Sequence, residues 1–139
     1  MSLRSACVTF EGLNGDELLG VRVLVVDDEP ETLDLVCLTL RSVGAEVFEA
    51  SSAEVALAKL DIHTLDVVIS DLQMPGLDGY DLMRLVRERP SRPVGIALSA
   101  SSSMTETARA LDAGFTVHVA KPIAMVDLVD TIRAALPVG

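Results

Sequence analysis

The sequence predicts an α/β domain: one five-stranded parallel sheet with helices on both faces. Three observations carry this. Five short apolar runs alternate with five stretches of helical period within 139 residues, about the length of one domain. Several runs are nearly continuous in Val, Ile, Leu and Ala, as strands covered on both faces are. Four of the five end in a side chain capable of chemistry, and open parallel sheets gather their ligand sites at the carboxyl ends of strands.

Residues 1–20 mix polar side chains with Gly12, Gly15 and Gly20 and keep no period, which predicts a linker or a loosely docked arm outside the core. Met1-Ser2-Leu3 has the look of an expression-derived remnant. The domain is expected over 21–136, with 137–139 as a tail. Val21-Arg22-Val23-Leu24-Val25-Val26 is the first strand and delivers Asp27-Asp28-Glu29. Pro30 suits a first helical turn, after which Leu33, Val36, Cys37, Leu40 and Val43 recur at helical spacing until Gly44. Residues 45–50 alternate like a more exposed second strand. Ser51 or Ser52 caps the second helix, which Val55, Ala56, Leu57 and Leu60 mark.

The third strand covers 66–70 and opens at Asp71 into a Met74-Pro75-Gly76 turn. Asp78 caps a helix carrying Tyr80, Leu82, Met83, Leu85 and Val86. The fourth strand, 94–98, leads to Ser99 and a serine run in which Ser102 or Ser103 caps a helix reaching Gly114. The fifth, 116–120, ends at Lys121-Pro122, and the last helix sets Met125, Val126, Leu128, Val129, Ile132 and Leu136 along one side.

Composition narrows the function. Eleven basic against 21 acidic residues give a formal charge of -10, which opposes a phosphate backbone, so no direct nucleic-acid binding is expected. No apolar run approaches the ~20 residues of a membrane-spanning helix, so no membrane insertion is expected either. Cys7 and Cys37 have no metal-ligand spacing and read as reduced thiols of a cytoplasmic protein, with a pairing of the two as the alternative. His63 reads as a solvated loop residue.

The strand ends define the chemistry. Asp27, Asp28 and Asp71 converging in one layer of loops need cationic balance, and a hard divalent ion with oxygen ligands supplies it. Mg²⁺ commonly joins one or two carboxylates, waters and a phosphoryl oxygen. Lys121 adds a compact cation and Ser99 a hydroxyl donor. Asp71 is then the nucleophile, since carboxylates attack phosphorus to form acyl phosphates and the loose transition state rewards positioning and charge neutralisation.

Four segments, Val25-Val26-Asp27-Asp28-Glu29-Pro30, Ile69-Ser70-Asp71-Leu72-Gln73-Met74-Pro75-Gly76-Leu77-Asp78-Gly79, Leu98-Ser99-Ala100 and Ala120-Lys121-Pro122, stand in order, each on a strand end. Together they make the chain resemble a response-regulator receiver domain of two-component signalling, from residue 21 to about 136. The resemblance implies a flavodoxin-like (βα)5 three-layer sandwich with strand order 2-1-3-4-5. It implies that Asp71 accepts a phosphoryl group from a phosphohistidine on a histidine kinase or a histidine phosphotransfer domain. By the same resemblance Asp28 binds Mg²⁺ directly, Asp27 largely through water, and Gln73 through its backbone carbonyl, with Mn²⁺ as the alternative metal. Ser99 and Lys121 bind the phosphoryl oxygens, and the peptide before Pro122 is a candidate for the cis form.

Such a domain catalyses only its own phosphorylation and dephosphorylation and is not otherwise an enzyme. Gln73 and Ser101, two positions beyond Asp71 and Ser99, are placed to modulate entry of the hydrolytic water. One departure stands out: the family usually carries Tyr or Phe three residues before the lysine, and this chain has His118. We expect His118 on the surface formed by the fourth helix, fifth strand and fifth helix, reporting activation there with pH sensitivity. That surface is also the candidate homodimer contact.

The stretch from Leu18 to Asp28 resembles the join between kinase and receiver in hybrid histidine kinases, whose parent would be a membrane-associated sensor with this part on its cytoplasmic side. A free-standing regulator is the alternative. An aspartyl phosphohydrolase would place Asp-x-Asp after the first strand, where this chain has Asp27-Asp28-Glu29. A nucleotide or flavin binder would place a Gly-rich loop there.

Overall fold

The computed structural model describes residues 15–100, 103–121 and 124–137. In chain order the elements are β1 (Arg22–Val26), α1 (Pro30–Ser42), β2 (Glu46–Ala50), α2 (Ala53–Ile62), β3 (Val67–Asp71), α3 (Gly79–Arg87), β4 (Val94–Ser99), α4 (Met104–Ala113), β5 (Val117–Ala120) and α5 (Met125–Ala135). All neighbouring strands pair in parallel, in the order β2-β1-β3-β4-β5. Fold class and strand order agree with the sequence reading.

The near-continuous apolar strands are explained by burial on both sides. Val23, Val25, Val67, Ile69, Ile96 and Leu98 pack against α1 and α5 through residues such as Val36, Leu40, Leu128 and Ile132. The alternate positions Leu24, Val26, Val68 and Ala97 pack against α2, α3 and α4, where Ala56, Leu82, Val86 and Ala110 meet them. Side chains of a strand alternate between faces, so a run covered twice has no polar positions to spare.

Helix starts agree with the sequence signals. Pro30 opens α1, the Ser52 side chain accepts from Val55 N, and Ser103 accepts from Glu106 N at 3.1 Å. Asp78 and Asp81 form a reciprocal capping box at α3. Because β1 leads to β2 on one side and the chain returns to β3 on the other, the carboxyl ends of β1 and β3 lie side by side where the strand order reverses.

Strand ends differ from the sequence reading by a residue, as at β4, which extends to Ser99, and two differences bear on the site and the core. Asp71 is the last residue of β3, paired with Leu98, so the phosphoacceptor candidate is held by the sheet itself. The segment before β1 also reaches the core: Leu18 is fully buried among Val23, Val43 and their neighbours, and its N–H donates to Val43 O at 2.8 Å. Gly44, at φ +95°, makes room for this approach, since a Cβ there would stand 3.0 Å from Leu19 Cα. Two adjacent leucines in a glycine-bearing segment give no periodic signal, and tertiary contact decides which of them is buried. Cys37 is a free, buried thiol, pushed up to about 11 chiefly by burial and next by Glu49. Cys7, Ser101, Ser102 and Pro122, with the expectations attached to them, lie outside the described residues.

Candidate functional site

The site lies at the carboxyl edge of the sheet. Asp27 (2% exposed) comes directly after β1 and Asp71 (8% exposed) ends β3, while Asp28 is exposed. Each offers a carboxylate oxygen, and these oxygens lie within 4.8 Å of one another. The backbone fixes them: Asp27 N donates to Ala50 O at 3.1 Å, Glu29 N donates to Asp27 Oδ1 at 2.9 Å, and Gln73 N donates to Asp71 Oδ1 at 3.2 Å. Gly79 closes the loop from behind. Its N–H donates to Leu72 O at 3.1 Å, and a Cβ there would strike Asp71 O and stand 2.8 Å from Leu72 Cα.

Lys121 supplies positive charge. Its ammonium donates to Asp27 Oδ2 at 3.1 Å and lies 3.6 Å from Asp71 Oδ2. Its backbone N–H donates to Ser99 O at 2.6 Å, which ties the ends of β5 and β4 together.

Burial raises the Asp71 carboxyl above its ordinary 3.8; the Gln73 N–H and Lys121 oppose this, and the charges of Asp27 and Asp28 add to it. For Lys121, burial alone would lower the ammonium, but the hydrogen bond to Asp27 and the charge of Asp71 outweigh it and leave Lys121 raised. An ion pair by itself would lower the acid as it raises the base, so the upward shift of Asp71 means that desolvation outweighs its lysine. Three crowded carboxylates facing one ammonium form a hard-oxygen donor set short of positive charge, and such a set fits a hard divalent cation.

Ser99, wholly buried, ends β4, and its hydroxyl donates to Glu106 Oε1 on α4. His118 does not project from the α4–β5–α5 surface as expected: its side chain is only 3% exposed. The cause is register. His118 pairs with Ala97, which faces the layer covered by α4, and polar partners await the ring there. Thr107 Oγ1 lies 2.8 Å from His118 Nδ1, Ser99 Oγ 3.3 Å from Nε2, and Glu106 Oε1 3.6 Å from Nε2.

The structure thus brings Asp27, Asp28, Asp71 and Lys121 together and joins Ser99 to His118, while Gln73 is exposed and touches the site through its backbone. Sequence reasoning missed Glu106 and Thr107. The Ser103-x-x-Glu106 spacing signals a helix start, and Ser103 is indeed the cap. Nothing local says that the Glu106 carboxylate turns to Ser99.

A β2-β1-β3-β4-β5 parallel sheet with an acid trio and a lysine at its carboxyl edge is the architecture of receivers in two-component signalling. The chain belongs to the response regulator receiver domain family, whose family model matches residues 23–133. It is 39% identical over 114 residues to the transcriptional regulatory protein KdpE of Mycobacterium tuberculosis, covering 82% of this chain and 50% of KdpE. It is 37% identical over 131 residues to the virulence sensor protein BvgS of Bordetella pertussis, covering 86% of this chain and 11% of BvgS. A 14.6 kDa protein of Leptolyngbya boryana is 35% identical over 113 residues, covering 80% of this chain and 86% of that one. The chain therefore spans half of KdpE and a small part of BvgS. Among solved structures, the chemotaxis protein CheY4 of Vibrio cholerae superposes with a TM-score of 0.81 at 30% identity, over 84% of this chain and 98% of CheY4.

Proposed function

We propose that Asp71 is the phosphoacceptor of this receiver, taking a phosphoryl group from a phosphohistidine of a histidine kinase or phosphotransfer partner. One observation carries the reading: the Asp71 carboxylate, fixed at the end of β3, has carboxylate oxygens of Asp27 and Asp28 within 4.8 Å and the Lys121 ammonium at 3.6 Å. A carboxylate oxygen of Asp71 forms the new O–P bond as the N–P bond to the donor imidazole breaks, and that imidazole leaves with the electron pair. Lys121 neutralises phosphoryl oxygens, and Ser99 donates its hydroxyl to one of them. Asp27, Asp28, Asp71 and the Gln73 carbonyl would hold Mg²⁺, or Mn²⁺ in its place, which supplies the remaining positive charge to the transferring group.

The domain's catalysis ends with its own phosphorylation and dephosphorylation. Exposed Leu35 and Leu38 on α1 and a hollow lined by Glu29, Thr32, Leu98, Lys121 and Met125 give a histidine-bearing partner apolar surface at the site's rim. The output surface is α4–β5–α5, where exposed Met104 and Leu111 support contact with an effector or a second copy.

We read the chain as the receiver of a hybrid histidine kinase, on the cytoplasmic side, with the domain covering 21–136. The match to BvgS over 131 residues and the seating of Leu18 against the core support this. The Leptolyngbya boryana protein, whose length this chain nearly spans, supports the alternative of a free-standing regulator. No helix among the described residues is long and apolar enough to cross a membrane.

The test is incubation with Mg²⁺ and a small phosphodonor, with mass spectrometry to locate the added phosphate. Label on Asp71, absent in Asp71→Asn, is the expected result. Failure to label Asp71 while Mg²⁺ binds would overturn the proposal.

A further inference from the structure

Ser99 is the donor that the phosphoryl group needs, yet its hydroxyl is already engaged. It carries a single hydrogen, and it donates that hydrogen to the Glu106 carboxylate on α4. A hydrogen bond to an ionised acceptor is roughly twice as strong as a neutral one, and this one is sheltered, the Glu106 side chain being 15% exposed.

The surroundings hold Glu106 in place. Its backbone N–H is bound by the Ser103 hydroxyl at 3.1 Å, which fixes the first turn of α4. The His118 ring lies 3.6 Å from its carboxylate and 3.3 Å from Ser99 Oγ. Thr107 Oγ1 lies 2.8 Å from His118 Nδ1, and the tautomer in which Thr107 donates to Nδ1 puts the ring hydrogen on Nε2, facing both Ser99 and Glu106. Thr107, His118, Ser99 and Glu106 then form one chain of hydrogen bonds from α4 through β5 to β4. An aromatic hydrocarbon at position 118 could not make it.

We infer that Glu106 is a positioning residue that holds the Ser99 hydroxyl away from the phosphoryl site, so that phosphorylation of Asp71 must draw Ser99 off Glu106. This rests on Asp71 being the phosphoacceptor. Glu106 competes with the phosphoryl oxygens for one hydrogen, and the lost contact loosens the start of α4 at the moment of phosphorylation. Site and surface are thereby coupled through an acid on α4.

The experiment measures the rate of Asp71 labelling by a small phosphodonor at saturating Mg²⁺ in four versions of the 139-residue chain: wild type, Glu106→Gln, Ser99→Ala and the double variant. Glu106→Gln keeps the size of the side chain and an acceptor oxygen but removes the charge. It is expected to label about fivefold faster than wild type, the scale of a charge-assisted against a neutral hydrogen bond. Ser99→Ala should label slowly, and adding Glu106→Gln to it should change nothing, because Glu106 acts only through Ser99. Mg²⁺ affinity, titrated in parallel, should be equal in wild type and Glu106→Gln.

A wild-type rate in Glu106→Gln, or a gain that survives in the Ser99→Ala background, overturns the role of Glu106 while labelling of wild type at Asp71 leaves the phosphoacceptor intact. No label on Asp71 in wild type overturns both.

Discussion

Lys121 donates to Asp27 across 3.1 Å, joining positions 94 residues apart at the ends of β5 and β1, strands that are not neighbours in the sheet. The lysine reaches over the ends of β3 and β4 to balance an acid that is 2% exposed. Replacing it leaves a buried carboxylate unpaired. Lys121→Met should therefore lower unfolding free energy by about 2 kcal/mol without divalent cation. It should also tighten Mg²⁺ binding severalfold, because the ammonium no longer competes for the acids, while labelling of Asp71 slows. Chemical denaturation and calorimetric titration check this; an unchanged denaturation midpoint together with unchanged Mg²⁺ affinity would refute it.

Asp71 contributes to stability with the opposite sign from a salt-bridged acid. Its folded pKa lies above the ordinary 3.8, chiefly because of burial, so between those two values the native state binds more protons than the unfolded state. Stability attributable to this group falls as pH rises through that window, and at neutral pH its full cost is present. Asp71→Asn should raise the Tm of the metal-free protein at neutral pH, where ~1 kcal/mol corresponds to about 4 °C in a domain of this size. The gain should shrink as pH falls through the window. A Tm lower than wild type at neutral pH would contradict it.

Metal binding relieves the same crowding. Ligand that binds only the native state stabilises by about 2.7 kcal/mol at 100 times its Kd, so saturating Mg²⁺ should raise the Tm of wild type well beyond any effect of an equal ionic strength of sodium chloride. Asp28→Asn should abolish most of that response while leaving the metal-free Tm nearly unchanged, since Asp28 is exposed. Equal responses in the two proteins would place the cation elsewhere.

Leu18 and Leu19 provide a matched pair just ahead of β1. Leu18 is fully buried and Leu19 is 66% exposed. Leu18→Ala should cost about 2–4 kcal/mol, and Leu19→Ala should stay within about 0.5 kcal/mol of wild type. Urea titrations separate the two; equal midpoints would remove Leu18 from the core.

The fold was legible because its signals are local. Twice-covered strands write continuous apolar runs, as at 23–26 and 67–69, and Asp78 announces α3 by a capping pattern. Asp27, Asp28, Asp71, Ser99 and Lys121 were legible as strand-end residues, because a parallel sheet brings such ends to one edge. Leu18, the inward His118 ring and the Glu106 carboxylate were not. Each depends on which face of a neighbouring element it meets: Leu18 on the turn at Gly44, His118 on its register with Ala97, and Glu106 on the placing of α4 over β4. Those relations belong to tertiary packing, and no window of sequence contains both partners.

Gly79 carries no functional group, yet it constrains the site as tightly as the acids do. A Cβ there would meet backbone, Asp71 O and Leu72 Cα, and backbone cannot swing aside as a rotamer can. Any side chain at 79 would be accommodated only by moving the peptide that carries Asp71 or by lifting the first turn of α3. Among descendants of this sequence, drift at that position would therefore be read out as a displaced Asp71 in a protein whose acids, lysine and serine were all still in place.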